Sequence, residues 1–281
     1  MAINWYPGHI AKAERKLKEQ VKLVDVVFEV LDSRIPLSSS YDDLKRLLND
    51  KPRLMILNKS DVADPELNIK WAKYFEQTTG NKVILTSATS GKDISVVIKE
   101  AIDLGSPVID RLKAKGILPR PIRAMVVGMP NVGKSSIINK LIKTAKVKVG
   151  AKAGVTRGTQ WVRINPKLEL MDTPGIIPMK LSCQERATRL AMVNSVGEAA
   201  YDKIEVAISL ISLLYQRYPK EFCEYYKVSQ DNQPSIEDVA FSRNLLLSGG
   251  KLDIDRCASL VLTDFRQGRT GRMTLEDVPE A

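Results

Sequence analysis

The chain of 281 residues has a single histidine, His9, and three cysteines, Cys183, Cys223 and Cys257, too few and too far apart for a disulfide framework or a zinc site. All three cysteines are read as structural, which suits a reducing compartment. Long apolar runs are missing as well: Val206 to Leu214 is interrupted by two serines and is too short to cross a bilayer. The opening residues, Met1 to Ile10, lack the layout of a signal peptide and are not a typical transit peptide. These absences point to a cytoplasmic protein with no membrane partner, expected to be monomeric. Internal repeats and low-complexity segments are also wanting, and 44% hydrophobic with 27% charged residues excludes a disordered chain.

Acidic residues are absent from one long stretch. Between Arg111 and Leu168 there are fourteen Lys/Arg and no Asp or Glu. The net charge of +10 belongs to the first two thirds, because residues 185–281 hold 12 Lys/Arg against 15 Asp/Glu. A one-signed stretch of this length attracts phosphates, and a nucleic-acid partner is the favoured reading; a nucleotide site with solvated surface around it is the plainer one.

Residues 10–22 combine Lys12, Arg15, Lys16, Lys18 and Lys22 with Ile10, Ala13, Leu17 and Val21, the spacing of a basic amphipathic helix. Apolar runs at Val26–Leu31, Leu54–Leu57, Lys82–Leu85 and Ala124–Val127 read as buried strands, separated by helical stretches at Glu66–Gln77 and Ile94–Leu104. This alternation predicts an α/β fold with a mostly parallel sheet. Trp161–Ile164 and Leu168–Met171 add a hairpin turning at Asn165-Pro166. From about Leu181 helical signals take over: a capping box at Ser235–Asp238, a helix end at Gly249-Gly250, and an amphipathic stretch from Asp253 to Phe265. The expected organisation is residues 1–180 as a nucleotide-binding domain and 181–281 as a smaller all-α domain.

Gly128-Met-Pro-Asn-Val-Gly-Lys-Ser135 is a complete G-x-x-x-x-G-K-[ST], preceded by a strand and followed by a helical run. Such a P-loop brings backbone N–H groups up to phosphates at a helix N-terminus, and here the wrap spans Pro130, Asn131, Val132, Gly133, Lys134, Ser135 and Ser136. Lys134 supplies positive charge to the β- and γ-phosphates, and the Ser135 hydroxyl is placed for Mg²⁺. Asn58-Lys-Ser-Asp61 closes a strand. The Asp61 carboxylate can accept from N1–H and the N2 amine of guanine, whereas adenine offers neither donor and would leave it unpaired. Asn58 would secure the base edge and its loop, and the Lys59 stem would cover the ring face. Four residues alone could be a surface turn, but Thr86-Ser87-Ala88 one strand later offers backbone N–H groups to the guanine carbonyl. Asp172-Thr-Pro-Gly175 follows another strand, with Asp172 suited to hold Mg²⁺ through water and the Gly175 N–H to meet the γ-phosphate. Thr156, in the loop Gly150–Gly158, is the candidate for sensing γ-phosphate and Mg²⁺, a plain surface loop being the alternative. GTP would order both segments, and hydrolysis would release them.

These motifs resemble those of translation-factor-related GTPases, except that the base-recognition elements precede the P-loop. That order resembles the circularly permuted GTPases, and a circularly permuted P-loop G domain is the expected fold. Trp5-Tyr6-Pro7-Gly8-His9 with Lys12-Ala13, the segment Leu31-Asp-Ser-Arg-Ile-Pro36, and Leu246-Leu-Ser-Gly-Gly250 narrow the resemblance to the ribosome biogenesis GTPase A family, over essentially the whole chain. The resemblance implies a GTPase of late large-subunit assembly that binds ribosomal RNA and is stimulated by the subunit. A regulatory switch acting on protein partners is the alternative. The resemblance also implies that His9 assists water activation; the plainer reading is that it caps or packs the N-terminal helix. Asn131 resembles the Asn with which some GTPases hold potassium near the phosphates, or is an ordinary loop residue. Where many GTPases carry a water-orienting Gln, this chain has Ile176, so the free protein is expected to be slow.

Overall fold

A computed structural model describes residues 7–41, 44–48, 51–91, 93–144, 160–172, 175–176 and 183–280, with side chains from residue 12 onward except that of Ile176. In chain order the elements are α1 (Pro7–Val21), β1 (Val26–Asp32), α2 (Pro36–Ser39), α3 (Leu44–Leu48), β2 (Arg53–Asn58), α4 (Pro65–Thr79), β3 (Lys82–Leu85), α5 (Ile94–Ala114), β4 (Ile122–Gly128), α6 (Lys134–Thr144), β5 (Trp161–Asn165), β6 (Leu168–Met171) and β7 (Gly175–Ile176). Then follow α7 (Gln184–Met192), α8 (Lys203–Arg217), α9 (Pro219–Tyr226), α10 (Ile236–Ser242) and α11 (Ile254–Arg266).

The sheet runs β3-β2-β1-β4-β6-β5, with β7 pairing the end of β4. Every pairing is parallel except β5 with β6. All seven residues of β1 are buried, so the strand reads as a continuous apolar run broken only by Glu29 and Asp32. Helices on both faces produce that pattern. The predicted strands and the capping box at Ser235 are all present.

Three local expectations need correction. α5 continues past Leu104 to Ala114 although Pro107 lies inside it. Pro107 cannot donate to the Asp103 carbonyl, and the Ser106 hydroxyl does so instead at 3.0 Å, which removes one cost of the break. Gly249 and Gly250, with φ of +91° and +79°, do not end a helix; they turn the chain between Leu246 and Leu252, which pair as an antiparallel bridge. Of the cysteines, Cys223 and Cys257 are buried, but Cys183 is exposed at the start of α7 and packs no core. The expected domain boundary at 180/181 lies outside the described residues.

The helical segment is not a bead on a string. Buried residues of α7, α8 and α11 join the same apolar cluster as β1 and β4. After α11 the chain runs back along the ends of β1 and β2, where Leu275 N–H donates to Arg34 O at 2.8 Å and Met273 N–H to Val62 O at 3.2 Å. Among the described residues no helix is long and apolar enough to cross a membrane.

Candidate active site

Because β1, β2, β3, β4 and β6 are mutually parallel, their C-terminal ends open on one edge of the sheet. Asp32 closes β1, Asn58 closes β2, Thr86 follows β3, Gly128 closes β4 and Asp172 follows β6. Ligands of open α/β sheets bind at this edge. The topology thus gathers motifs that lie more than a hundred residues apart in the chain.

On the phosphate side, the Ile137 N–H donates to Gly133 O at 2.9 Å and starts α6 directly behind the loop. Ser135 and Ser136 are exposed on the first turn, where helical N–H groups lack intrahelical partners. Lys134 is only 8% exposed, and its Nζ donates to the Met129 carbonyl at 2.6 Å. Burial pushes its ammonium down to about 8. A buried cation whose hydrogen-bond partner is a neutral carbonyl is matched to an incoming anion, which would restore its charge.

The base side is held by Asn58. Its Nδ2 donates to Val132 O of the P-loop at 2.8 Å, and its Oδ1 accepts from the Ala88 N–H at 3.0 Å and the Thr86 hydroxyl at 3.4 Å. One side chain therefore fastens three of the predicted motifs together. Gly133 makes this possible: at φ +100°, a Cβ there would stand 2.2 Å from Asn58 Nδ2. The Ala88 N–H is engaged by Asn58, and the Thr86 N–H by Leu57 O at 2.8 Å, so those two amides serve the loop itself. Ser87 is buried between them, and Asp61 is exposed.

Lys59, at φ +63°, extends its Nζ to Asp32 Oδ2 at 2.7 Å and to Asn131 O at 2.8 Å, so its stem bridges the base loop and the P-loop. Burial pushes its ammonium below the usual lysine value, against the pull of Asp32. Asp32 is fully buried, which alone would raise its pKa, but Arg34 and Lys59 outweigh burial and hold the carboxyl well below the usual range. Arg34 grips it with Nε at 2.9 Å and Nη2 at 2.7 Å. The motif reading passed over Asp32 as a site residue; its place at the C-terminal end of a buried strand was the available signal.

The helical segment closes the ring. Asn131 Nδ2 donates to Asn194 O at 2.5 Å and Ser195 Oγ to Pro130 O at 2.8 Å, so the turn after α7 rests on the P-loop. Arg34 Nη1 donates to Arg266 O at 3.1 Å at the end of α11. Arg266, Arg269 and Arg272, with Gly268 and Gly271 between them, have the local sequence of a basic tip, either a solvated turn or an RNA contact. Arg266, half-buried, donates to Ala191 and Met192 carbonyls, while Arg269, which pairs with Asp264, and Arg272, which donates to Ser60 and Ala63 carbonyls, remain exposed. Each ties the chain together while Arg269 and Arg272 still face solvent.

On the γ-phosphate side, Asp172 is exposed just past β6. Gly175 is buried opposite Val127, one residue before Gly128, and a Cβ on it would stand 3.1 Å from Leu17 of α1. α1 therefore lies over β7. His9 falls in the first turn of α1, but its side chain, that of Ile176 and all of Thr156 lie outside what is described. No group of three or more His, Cys, Asp or Glu able to hold a metal occurs among the described residues. Ser135, on the first turn of α6 behind β4, and Asp172, just past the adjacent parallel strand β6, are hard oxygen donors, a set that fits Mg²⁺, which takes few protein ligands when phosphates supply the rest.

This edge, with a P-loop after β4 and the segments Asn58 to Asp61 and Asp172 to Gly175 at the ends of β2 and β6, defines the class: a P-loop GTPase with its motifs in permuted order. Residues 123–237 match the family described as 50S ribosome-binding GTPase, a match that begins in the strand leading into the P-loop. Ribosome biogenesis GTPase A of Bacillus cereus is 38% identical over 283 aligned positions, covering 100% of this chain and 95% of the relative. The Thermotoga maritima protein of that name is 33% identical, covering 98% and 94%. Among solved structures, GDP-bound TM YlqF superposes with TM-score 0.68 at 29% identity, covering 93% of this chain and 98% of that one. GNP-bound YlqF from T. maritima gives 0.64 at 29%, covering 94% and 97%. The chain belongs to the ribosome biogenesis GTPase A family. It binds guanine nucleotide and hydrolyses GTP.

Proposed function

We propose that this GTPase assists late maturation of the large ribosomal subunit, binds ribosomal RNA when loaded with GTP, and is stimulated to hydrolyse by the subunit. The observation that carries this reading is the exposed basic surface of α1 and of the acid-free stretch. α1 exposes Lys12, Arg15, Lys16 and Lys18, and Arg111, Lys113, Lys115, Arg163 and Lys167 are exposed on the acid-free stretch. Not all of that stretch faces outward, since Arg120 pairs with Asp25 at 2.6 Å and Arg123 stacks on Trp161. The names of the relatives point the same way, and the chain is taken to act in the cytoplasm as a monomer.

Asp61 reads guanine, with Asn58, Lys59 and Thr86 to Ala88 shaping its pocket. Residues Pro130 to Ser136 wrap the phosphates, Lys134 neutralises them, and Gly175 meets the γ-phosphate. Ser135, Thr156 and Asp172 would hold Mg²⁺, which would neutralise phosphate charge. Asn131, whose Nδ2 holds Asn194 O, would offer its Oδ1 to potassium. His9, on the helix over β7, orients the attacking water in place of the Gln that Ile176 replaces. Faster turnover in potassium than in sodium checks the first of these last two assignments.

Co-sedimentation with large subunits in the presence of a non-hydrolysable GTP analogue, but not GDP, is the expected result. Equal pelleting in both nucleotide states, or none in either, would overturn it. The rival reading, a switch acting on a protein partner, draws on Phe241, 78% exposed, with Leu246 and Leu247 exposed nearby in the chain. It predicts nucleotide-dependent capture of protein with no ribosomal RNA.

A further inference from the structure

We infer that Arg272, near the far end of the chain, is a positioning residue that sets guanine specificity by clamping the loop that carries Asp61. The inference rests on the reading of Asn58 to Asp61 as the base site.

Residues 59–64 form neither helix nor strand, so the aim of the Asp61 carboxylate depends on what holds the loop's backbone. Arg272 places Nη2 3.1 Å from Ser60 O and Nε 3.2 Å from Ala63 O, gripping the loop on either side of Asp61. The adjoining Met273 N–H donates to Val62 O at 3.2 Å. Three carbonyls of the loop thus accept from two consecutive residues of the tail. Thr274 Oγ1 accepts from the Asp64 N–H at 3.1 Å and donates to Ser33 O at 3.3 Å, which ties the clamp to the end of β1. Gly268, at φ +70°, lies so close to the loop that a Cβ on it would stand 2.4 Å from Val62 Cγ1. Asp61 itself stays exposed, so the tail fixes the backbone and leaves the carboxylate for a ligand. Two carbonyls three residues apart call for a planar fork of donors, which arginine has and lysine lacks.

A carboxylate that accepts from both N1–H and the N2 amine of guanine is sensitive to aim; one that meets only N1–H is less so. Inosine nucleotides keep N1–H and lack the N2 amine. Loosening the loop therefore weakens GDP more than IDP, whereas general loss of structure weakens both alike.

The test measures GDP and IDP affinities on the same preparations of the full chain. Arg272→Ala is expected to reduce the preference for GDP over IDP by roughly tenfold, and Arg272→Lys by less in the same direction. An unchanged ratio, or equal loss of both ligands, overturns the clamp. Should the alanine variant fail to fold, Arg272→Lys and Arg272→Gln carry the same ratio test. Asp61→Asn, measured in parallel, separates this inference from its foundation. If it shifts preference to xanthosine diphosphate while the Arg272 variants keep the normal ratio, only the clamp falls; if it does not, the base site falls and takes the clamp with it.

Discussion

The two halves of the site are built on opposite principles. Around the base loop the buried charges are answered, Asp32 by Arg34 and Lys59 and Arg34 by carbonyls at the end of α11, and the Asn58 amide is held by both neighbouring motifs. Around the phosphate loop Lys134 is buried against a carbonyl, and Ser135, Ser136 and Asp172 are exposed. The base half is preorganised at a cost in buried polar groups that its own network offsets. The phosphate half carries an electrostatic deficit that a ligand removes. A site that must hold the base steadily while responding to one phosphate more or less would be divided in this way.

Four measurements would break or sharpen that contrast. Asp32→Asn should cost the most stability, about 4 kcal/mol, because it leaves the buried Arg34 and the half-buried Lys59 without their counter-charge; denaturant unfolding reads it, and a loss near zero would mean the base half is not held by charge. Lys134→Ala should behave oppositely. Its GTPase rate should fall by roughly 10²-fold or more while its unfolding midpoint holds or rises, since a desolvated cation has been removed. Gly133→Ala strikes the seam between the halves, where φ is +100° and Asn58 Nδ2 would lie 2.2 Å away. It should destabilise by about 2 kcal/mol and weaken GDP binding at once; loss of only one of these would show the halves to be independent.

The smallest effect is in pH. Lys134 has its folded value pushed down to about 8, and phosphate binding needs its ammonium form. Nucleotide affinity should therefore be complete below pH 8 and decline above it, by about tenfold per pH unit, until the value raised by the bound phosphate is reached. A GDP affinity flat from pH 7 to 9 would place the buried charge elsewhere.

Much of this was legible in the residues. The strands were read from apolar runs because a sheet covered on both faces leaves no polar alternation to misplace. The P-loop, Asn58 to Asp61 and Thr86 to Ala88 were read because each follows a strand, and backbone direction then decides where they open. The readings that failed had non-local causes. Pro107 is tolerated because Ser106 serves the orphaned carbonyl and Gly105 lets α5 approach Ile122, where a Cβ would stand 2.5 Å away. Arg269 and Arg272 are exposed as a basic tip would be, but the carbonyls that hold Arg266 and Arg272 lie at residues 191–192 and 60–63, which no local pattern reveals.

The sequence by itself determined the chemistry on offer: a P-loop, an aspartate able to read guanine, a basic stretch without acids, and an isoleucine where a glutamine often stands. Each is a matter of residue type and short-range spacing. Only the tertiary structure decided that Asn58 joins three motifs, that Asp32 anchors Lys59, and that the end of the chain returns to grip the loop before the P-loop is even reached in sequence order. Those contacts span from 27 to more than 200 residues, and a separation of that length is set by how the sheet and helices pack, which no local pattern encodes.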